Sequence, residues 1–457
     1  MYLSLNNISV LLISLLLLLP ITGASREGDD LLAPIQQDSV PLKDTLLTLL
    51  RNNASYTVDI MAFGRAAQFA EAIGTVNPDN RVAQLNNYDV GLYFRPELKY
   101  RGDKLGLWAK PRLNIDVDLD EEGLTKEDYA TDFYFQELKG KWQINNSLYL
   151  LAGRYLKEMG TSLFVNPSNP FLVNNGRLNP KIEIRPMDFI ELNFSTKSAW
   201  SFSLIANINE ADSPIYQEPF FDFKRNYGLM AEYYGLAENI GVLASMDEDG
   251  KFHLGAYGQK NLTEAVLLWT DFSLNYNYNR FYPVQGHWTD PQLLDYDMIN
   301  GSKNDGFSGA GLLGASYTLN IGPTIQVEYF FNGKGYTNDE FEMLLRSIDS
   351  SSRYSFDVTR DLANSNLGRA LNTGMPFIRR NYLFFQVGEQ DRFEQLNYNL
   401  RYIYSIDDQS SQFSSLIEWN LNSFEIYSVL LMGFGGRDTD LNLLLDFQLM
   451  LGIIYKI

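Results

Sequence analysis

Residues 105–120 read Leu-Gly-Leu-Trp-Ala-Lys-Pro-Arg-Leu-Asn-Ile-Asp-Val-Asp-Leu-Asp. Leu105, Leu107, Ala109, Leu113, Ile115, Val117 and Leu119 fall on one parity; Trp108, Lys110, Arg112, Asn114, Asp116 and Asp118 fall on the other. A period of two is the pattern of a strand with one apolar and one polar face. The pattern runs for fifteen residues, whereas a strand in a soluble domain has about 5–6. Val266 to Asn279 and Leu396 to Asp407 repeat it, and Trp200 to Asn209, Gly306 to Leu319 and Ile325 to Asn332 behave alike. So many apolar faces need a second sheet or lipid to cover them.

The connections favour lipid. From Tyr56 onward they alternate between tight turns, such as Gly102-Asp103 and Asn422, and long polar segments, such as 157–185, 281–305 and 334–378. Strand edges cannot stay open in a bilayer, so the chain must close on itself. The expected fold is all-β, an antiparallel transmembrane β-barrel of about eighteen strands (16–18), with short periplasmic turns and long extracellular loops. The expected barrel spans 56–457. Tyr and Phe near strand ends, as in Tyr93-Phe94 and Tyr233-Tyr234, suit the headgroup zone.

Val10 to Leu19 is an apolar run followed by Pro20 and Thr22-Gly23-Ala24, which reads as a secretory signal over 1–24. Residues 25–55 form a periplasmic or plug segment in which Val40 to Leu50 has helical Leu spacing. Composition narrows the chemistry further. The 457 residues hold no Cys and only two His, with a net charge of −19. Cys nucleophiles, Cys-ligated metals and most Ser-His-Asp machinery are thereby excluded, and general nucleic-acid binding is disfavoured. His253 has no convincing Ser partner, so no enzyme, metal or cofactor is expected. Acidic runs such as Asp120 to Asp128 lack calcium-loop spacing and read as solvated loops.

With the apolar faces outward, parity assigns the lumen. Asp59, Arg65, Asp89, Arg95, Lys110, Arg112 and Asp116 face inward on the first strands, and Arg154 is placed with them. Glu191, Asp271, Glu328, Arg401, Glu418 and Asp446 complete the inward set. A basic wall formed by Arg65, Arg95, Lys110 and Arg112 would oppose acidic walls and set up a transverse field, unless the charges pair with one another. The turn-rich Asn166-Pro167-Ser168-Asn169-Pro170 places a constriction loop, 157–185, in the mouth or lumen, with an ordinary surface loop as the alternative.

The last residues, Gly452, Tyr455 and Ile457, resemble the terminal signal of Gram-negative outer-membrane barrels, although Ile457 stands where Phe is usual. That resemblance implies recognition by the outer-membrane assembly machinery. Phe133 to Leu138, Gly153-Arg154, Gly160 and Asn166 to Phe171 resemble porin-like families, among them the alginate-export and related uncharacterised barrels, with Met159 in place of a Trp. The expected function is diffusion of small hydrophilic solutes across the outer membrane of a Gram-negative bacterium. The alternatives are polysaccharide export, or a surface receptor or adhesin using the loops 281–305 and 334–378.

Overall fold

The computed structural model describes residues 53–457 apart from 71–72, 84, 120–125, 173–178, 185, 211–221, 287–295, 302–305, 355–356, 394, 437 and 444. The expected signal 1–24, the stretch 25–52, His287 and most of the acidic run 120–128 lie outside the described residues.

The ring opens with β1 (Ala54–Phe69), β2 (Tyr88–Arg101), β3 (Leu105–Leu119) and β4 (Lys126–Asn145). It continues with β5 (Leu148–Tyr155), β6 (Met187–Ser195), β7 (Trp200–Glu210), β8 (Asn226–Tyr234) and β9 (Glu238–Asp247). Next come β10 (Phe252–Asn261) and β11 (Val266–Tyr276). A separate hairpin, β12 (Phe281–Gln285) with β13 (Tyr296–Asn300), interrupts the run. The ring then resumes with β14 (Phe307–Thr318), β15 (Thr324–Asn332), β16 (Asn381–Arg392) and β17 (Leu396–Ser405). It ends with β18 (Ser411–Leu421), β19 (Phe424–Phe434) and β20 (Leu445–Lys456).

Each of the 18 ring strands pairs antiparallel with its neighbours, and β1 pairs with β20, so the barrel is closed. At the seam the Val58 amide donates to the Ile457 carbonyl at 3.1 Å and the Ile457 amide to the Val58 carbonyl at 2.9 Å. The outward rows are apolar and exposed, as with Phe202 and Leu204 on β7, or Ile325, Val327 and Tyr329 on β15. Their alternate neighbours, such as Ser203, Asn207 and Glu328, are buried. The last strand starts at Leu445, and Leu443 lies in the loop before it and packs into an apolar cluster.

The loop 334–378 contains two helices that the polar composition hid. With α1 (Ile73–Val76) in the β1–β2 connection, they are α2 (Asn338–Arg353) and α3 (Asp357–Leu371). Thr337 caps α2: its hydroxyl accepts from the Glu340 amide at 3.2 Å, and the Thr337 amide donates to the Glu340 carboxylate at 2.9 Å. Phe341, Leu344 and Ile348 then lie on one helical face and bury against Phe281, Met298, Leu367 and Leu443. Arg280 pairs with Glu340 at 2.8 Å inside this cap. Loops from four places in the chain thus share one core at the long-loop end.

Two outcomes are expected. Leu313 faces outward near the middle of β14, so Leu313→Arg should lower stability by about 2–4 kcal/mol in refolding titrations into vesicles. Burial pushes the Glu340 carboxyl up, but the Thr337 amide and Arg280 together hold it below the usual value of 4.5. Its contribution is therefore full above pH 4.5 and is lost as pH falls through the depressed folded value. Exchange of the α2 amides, corrected for intrinsic rates, should accelerate on that descent in the wild type and lose its pH dependence in Glu340→Gln.

Candidate functional site

The connection between β5 and β6 does not stay outside the ring. Its first part, 156–172, reaches strands far around the barrel. The Ser162 hydroxyl donates to Glu328 of β15 at 2.7 Å. The Ser168 amide and hydroxyl donate to the two oxygens of Asp271 of β11 at 2.7 and 3.0 Å. Phe164 stacks on Phe384 of β16 with ring centroids 4.8 Å apart, and Phe171 meets Phe189 of β6 edge-on at 5.6 Å. The later part, 179–184, lies against other strands. Lys181 bonds both Glu418 of β18 and Glu425 of β19, and the Glu183 carboxylate accepts from Arg112 of β3 at 2.8 and 3.0 Å. Gln136 of β4 donates to the Ile184 carbonyl at 2.7 Å.

Local chemistry shapes the segment. Asn166 closes a tight turn, accepting from the Ser162 amide at 2.9 Å and donating to the Ser162 carbonyl at 3.0 Å. Asn169 donates to the Lys157 carbonyl at 2.9 Å and accepts from the Phe171 amide at 3.0 Å. Pro167 and Pro170 flank this short stretch, in which Ser168 presents its hydroxyl and amide to the wall together. Opposite it, Gly255 of β10 leaves room for the segment's backbone, since a Cβ there would collide with the Ser168 carbonyl oxygen. His253 of β10 places Nε2 3.0 Å from the same carbonyl and Nδ1 2.8 Å from the Asn275 side-chain oxygen.

The inner wall is not uniformly polar. Phe189, Ile205, Met230 and Leu243 turn inward on β6 to β9 and gather around Phe171. Leu312, Phe330, Phe384 and Ile403 do the same around Phe164 and Val165. Water-accessible hollows lie on both sides of the segment. One of about 370 Å³ opens toward the long loops between Pro167, Asn226, Lys251 and Tyr276. The other, of about 420 Å³, opens toward the short turns between Tyr149, Glu191, Ser201 and Tyr234.

The charges expected on the lumen wall are placed as follows. Lys110 lies 3.4 Å from Glu97 and 3.2 Å from Glu137, which themselves bond Lys99 and Lys139. Arg65 pairs with its cross-strand neighbour Asp89, and Glu191 with Lys157 at 2.7 Å. Asp116 accepts from the Tyr93 hydroxyl at 2.8 Å. Arg401 donates to Gln386 at 2.9 Å and lies over the Phe164 ring at 5.5 Å. The basic wall therefore does not stand bare, because carboxylates alternate with its cations. Arg95 is different: it lies 5.1 Å from the Tyr93 ring centre, and no carboxylate among the described residues is at ion-pair distance.

One expectation needs correction. Arg154 does not share the inward face: its register partners are Leu138 and Asp188, in the row that carries exposed Leu138 and Ile190, and it holds Asp188 at 2.7 and 3.1 Å. β5 is apolar on both parities, so its faces could not be told apart from the residues. Arg112, Glu191, Asp271 and Glu328 are buried, and all four are bonded by side chains of the inward segment, Glu183, Lys157, Ser168 and Ser162 in that order. Sequence reasoning missed Ser162, Lys181, Glu183, Gly255 and Glu425. A signal was present in the inward apolar residues that break the alternation on β7, β9, β14 and β15, which mark where something must cover them.

No protein-family model matches this sequence, and no curated protein matches it. The fold does have relatives among solved structures. Pseudomonas aeruginosa OccK11 (OpdR) superposes with a TM-score of 0.51 at 9% identity, over 88% of this chain and 96% of that one. Pseudomonas aeruginosa OccK9 (OpdG) gives 0.51 at 12% identity, over 89% and 98%, and Acinetobacter baumannii OccAB4 gives 0.50 at 9%, over 89% and 98%. Identities this low speak to architecture alone, and in architecture the chain is a closed, 18-strand, porin-like β-barrel.

Proposed function

We propose that the chain is an outer-membrane channel for small hydrophilic solutes, with the β5–β6 connection as the element that sets its bore. One observation carries this reading: a single connection bonds residues of β3, β11, β15, β18 and β19, with a hollow on each side of it. Barrels of sixteen to eighteen strands leave an aqueous interior, and a segment laid along the wall narrows it. Asn166, Pro167, Asn169 and Pro170 hold the turn that brings Ser168 to Asp271. Arg112, Asp271, Glu328 and Glu418 serve as its moorings more than as a bare charged lining. Local pairing makes the ionic filter weak, and among the described residues Arg95 and Lys141 are inward cations that a passing anion can meet, held by aromatic rings and not by carboxylates.

A surface-receptor reading draws on the folded cap of α2, α3 and the β12–β13 hairpin. Export of a polymer gains nothing from this geometry, since the inward segment narrows the path. Planar-bilayer recording of the purified protein separates these: a channel passes steady ohmic current, whereas a plugged receptor passes almost none.

Within the channel reading, Gly255→Leu should drive the Ser168 backbone off the wall. Ser168→Ala should weaken the mooring by about 1.5–3 kcal/mol, the worth of a hydrogen bond to a carboxylate. Both variants should raise conductance and open-channel noise while the barrel stays folded. Arg95→Gln should move the reversal potential in a salt gradient toward cation selectivity, and an unchanged potential would remove Arg95 from the filter.

A further inference from the structure

The short-turn rim is not the same all round. Four consecutive turns, β8–β9, β10–β11, β14–β15 and β16–β17, each carry a large apolar residue at the tip. Leu236 is fully exposed, Phe393 79%, Ile321 70% and Leu262 55% exposed. The remaining turns are polar: Gly102-Asp103-Lys104, Asn146-Ser147, Thr196-Lys197-Ser198 and Asn422-Ser423. An exposed Leu, Ile or Phe in a tight turn, repeated over eight neighbouring strands, is an arc of apolar tips, with the exposed Lys260–Glu238 pair and Glu264 set among them.

Three further observations say what covers it. The arc continues the outward rows: exposed Tyr317 and Ile325 flank Ile321, and exposed Ile240 follows Leu236. The strands above it have 9 to 12 residues, the shortest being β8 and β15 with 9, against 14 in β2 and 20 in β4. Nine residues at about 3.4 Å each, tilted about 40°, rise roughly 23 Å, no more than the ~25 Å apolar band of such barrels. At β8 and β15, which lead into Leu236 and out of Ile321, the turns themselves meet the edge of the hydrocarbon. β5 and β6 are as short, with 8 and 9 residues, but there the strands beside them bring tryptophan to the rim. Tryptophan prefers the headgroup level. Among the described residues the outward, exposed tryptophans near the short-turn end are Trp142 and Trp200, on β4 and β7 outside the arc, and Trp419 on β18 at its edge, where its Nε1 donates to Gln395 of the β16–β17 turn at 3.1 Å.

We propose that the arc from β8 to β17 is seated in the periplasmic leaflet, with Leu236, Leu262, Ile321 and Phe393 as lipid anchors. The opposite turns then stay in water, and the barrel sits deeper on the arc side. This inference rests on the membrane-barrel reading and adds the lipid contact of one rim.

The chain has no cysteine, so single-cysteine variants can be labelled without background. Leu236→Cys, Leu262→Cys, Ile321→Cys and Phe393→Cys would carry an environment-sensitive nitrobenzoxadiazole fluorophore, as would Asp103→Cys, Ser147→Cys, Lys197→Cys and Ser423→Cys. The outward mid-strand variant Leu229→Cys is the reference. Each folded variant, identified by heat-modifiable gel migration, is placed in phosphatidylcholine vesicles with plain or brominated acyl chains. The expected result is blue-shifted emission, quenched by brominated lipid, at the four apolar tips and at position 229, with water-like, unquenched emission at the four polar tips. Water-like emission at the apolar tips beside a quenched position 229 overturns the anchors and leaves the barrel intact. Blue-shifted but unquenched tips mean a protein surface covers them, which also overturns the proposal. An unquenched position 229 removes the membrane reading together with it.

Discussion

A backbone amide inside hydrocarbon has no water to bond, so every strand edge in a bilayer must find another strand. This requirement governs the whole molecule. It is met at the seam where β1 lies against β20, from Asp59 opposite Lys456 to Phe69 opposite Leu445. Once the ring is closed, each strand has one side for lipid and one for the interior. Register then becomes consequential, because a slip of one residue would turn a row of Leu and Phe inward and a row of Asp and Arg into lipid.

Closure also creates the interior problem that the segment between β5 and β6 solves. Inward Phe189, Ile205, Leu312 and Phe384 are poor partners for a water-filled bore, and buried Asp271 and Glu328 need donors. Phe164 and Phe171 cover the first group; Ser162 and Ser168 supply the second. Neutral hydroxyl and amide groups hold the stretch around Ser162 and Ser168, whereas Lys181 and Glu183 moor the later part by ion pairs. Gly255 belongs to the same arrangement, since the close approach of the Ser168 backbone leaves no space for a side chain.

Much of this was legible before any coordinates. The faces of 105–119 follow from parity, and so do the inward positions of Asp59, Asp116, Asp271 and Glu328, because a strand allows only two directions for a side chain. Arg154 fell on the wrong face because β5 offers Leu on both parities. The helix α2 was also written in the residues: Thr337 and Glu340 form a capping box ahead of Phe341, Leu344 and Ile348. Its location in a long polar connection concealed it. The β12–β13 hairpin lacks any comparable local mark, since its apolar residues acquire a core from α1, α2, α3 and the loop before β20.

What the residues determined alone is what depends on short distances along the chain: strand periodicity, turn positions, and which side chains share a face. A rule of two needs no knowledge of neighbours. What only the tertiary structure decided is pairing between places distant in sequence, such as Ser168 with Asp271 or Lys181 with Glu425. Parity says that a carboxylate points inward; it is silent on whether water, a cation or a folded-in hydroxyl will be there to meet it. That choice is made by the path of one connecting segment around the inside of a closed ring, and no local pattern encodes a path.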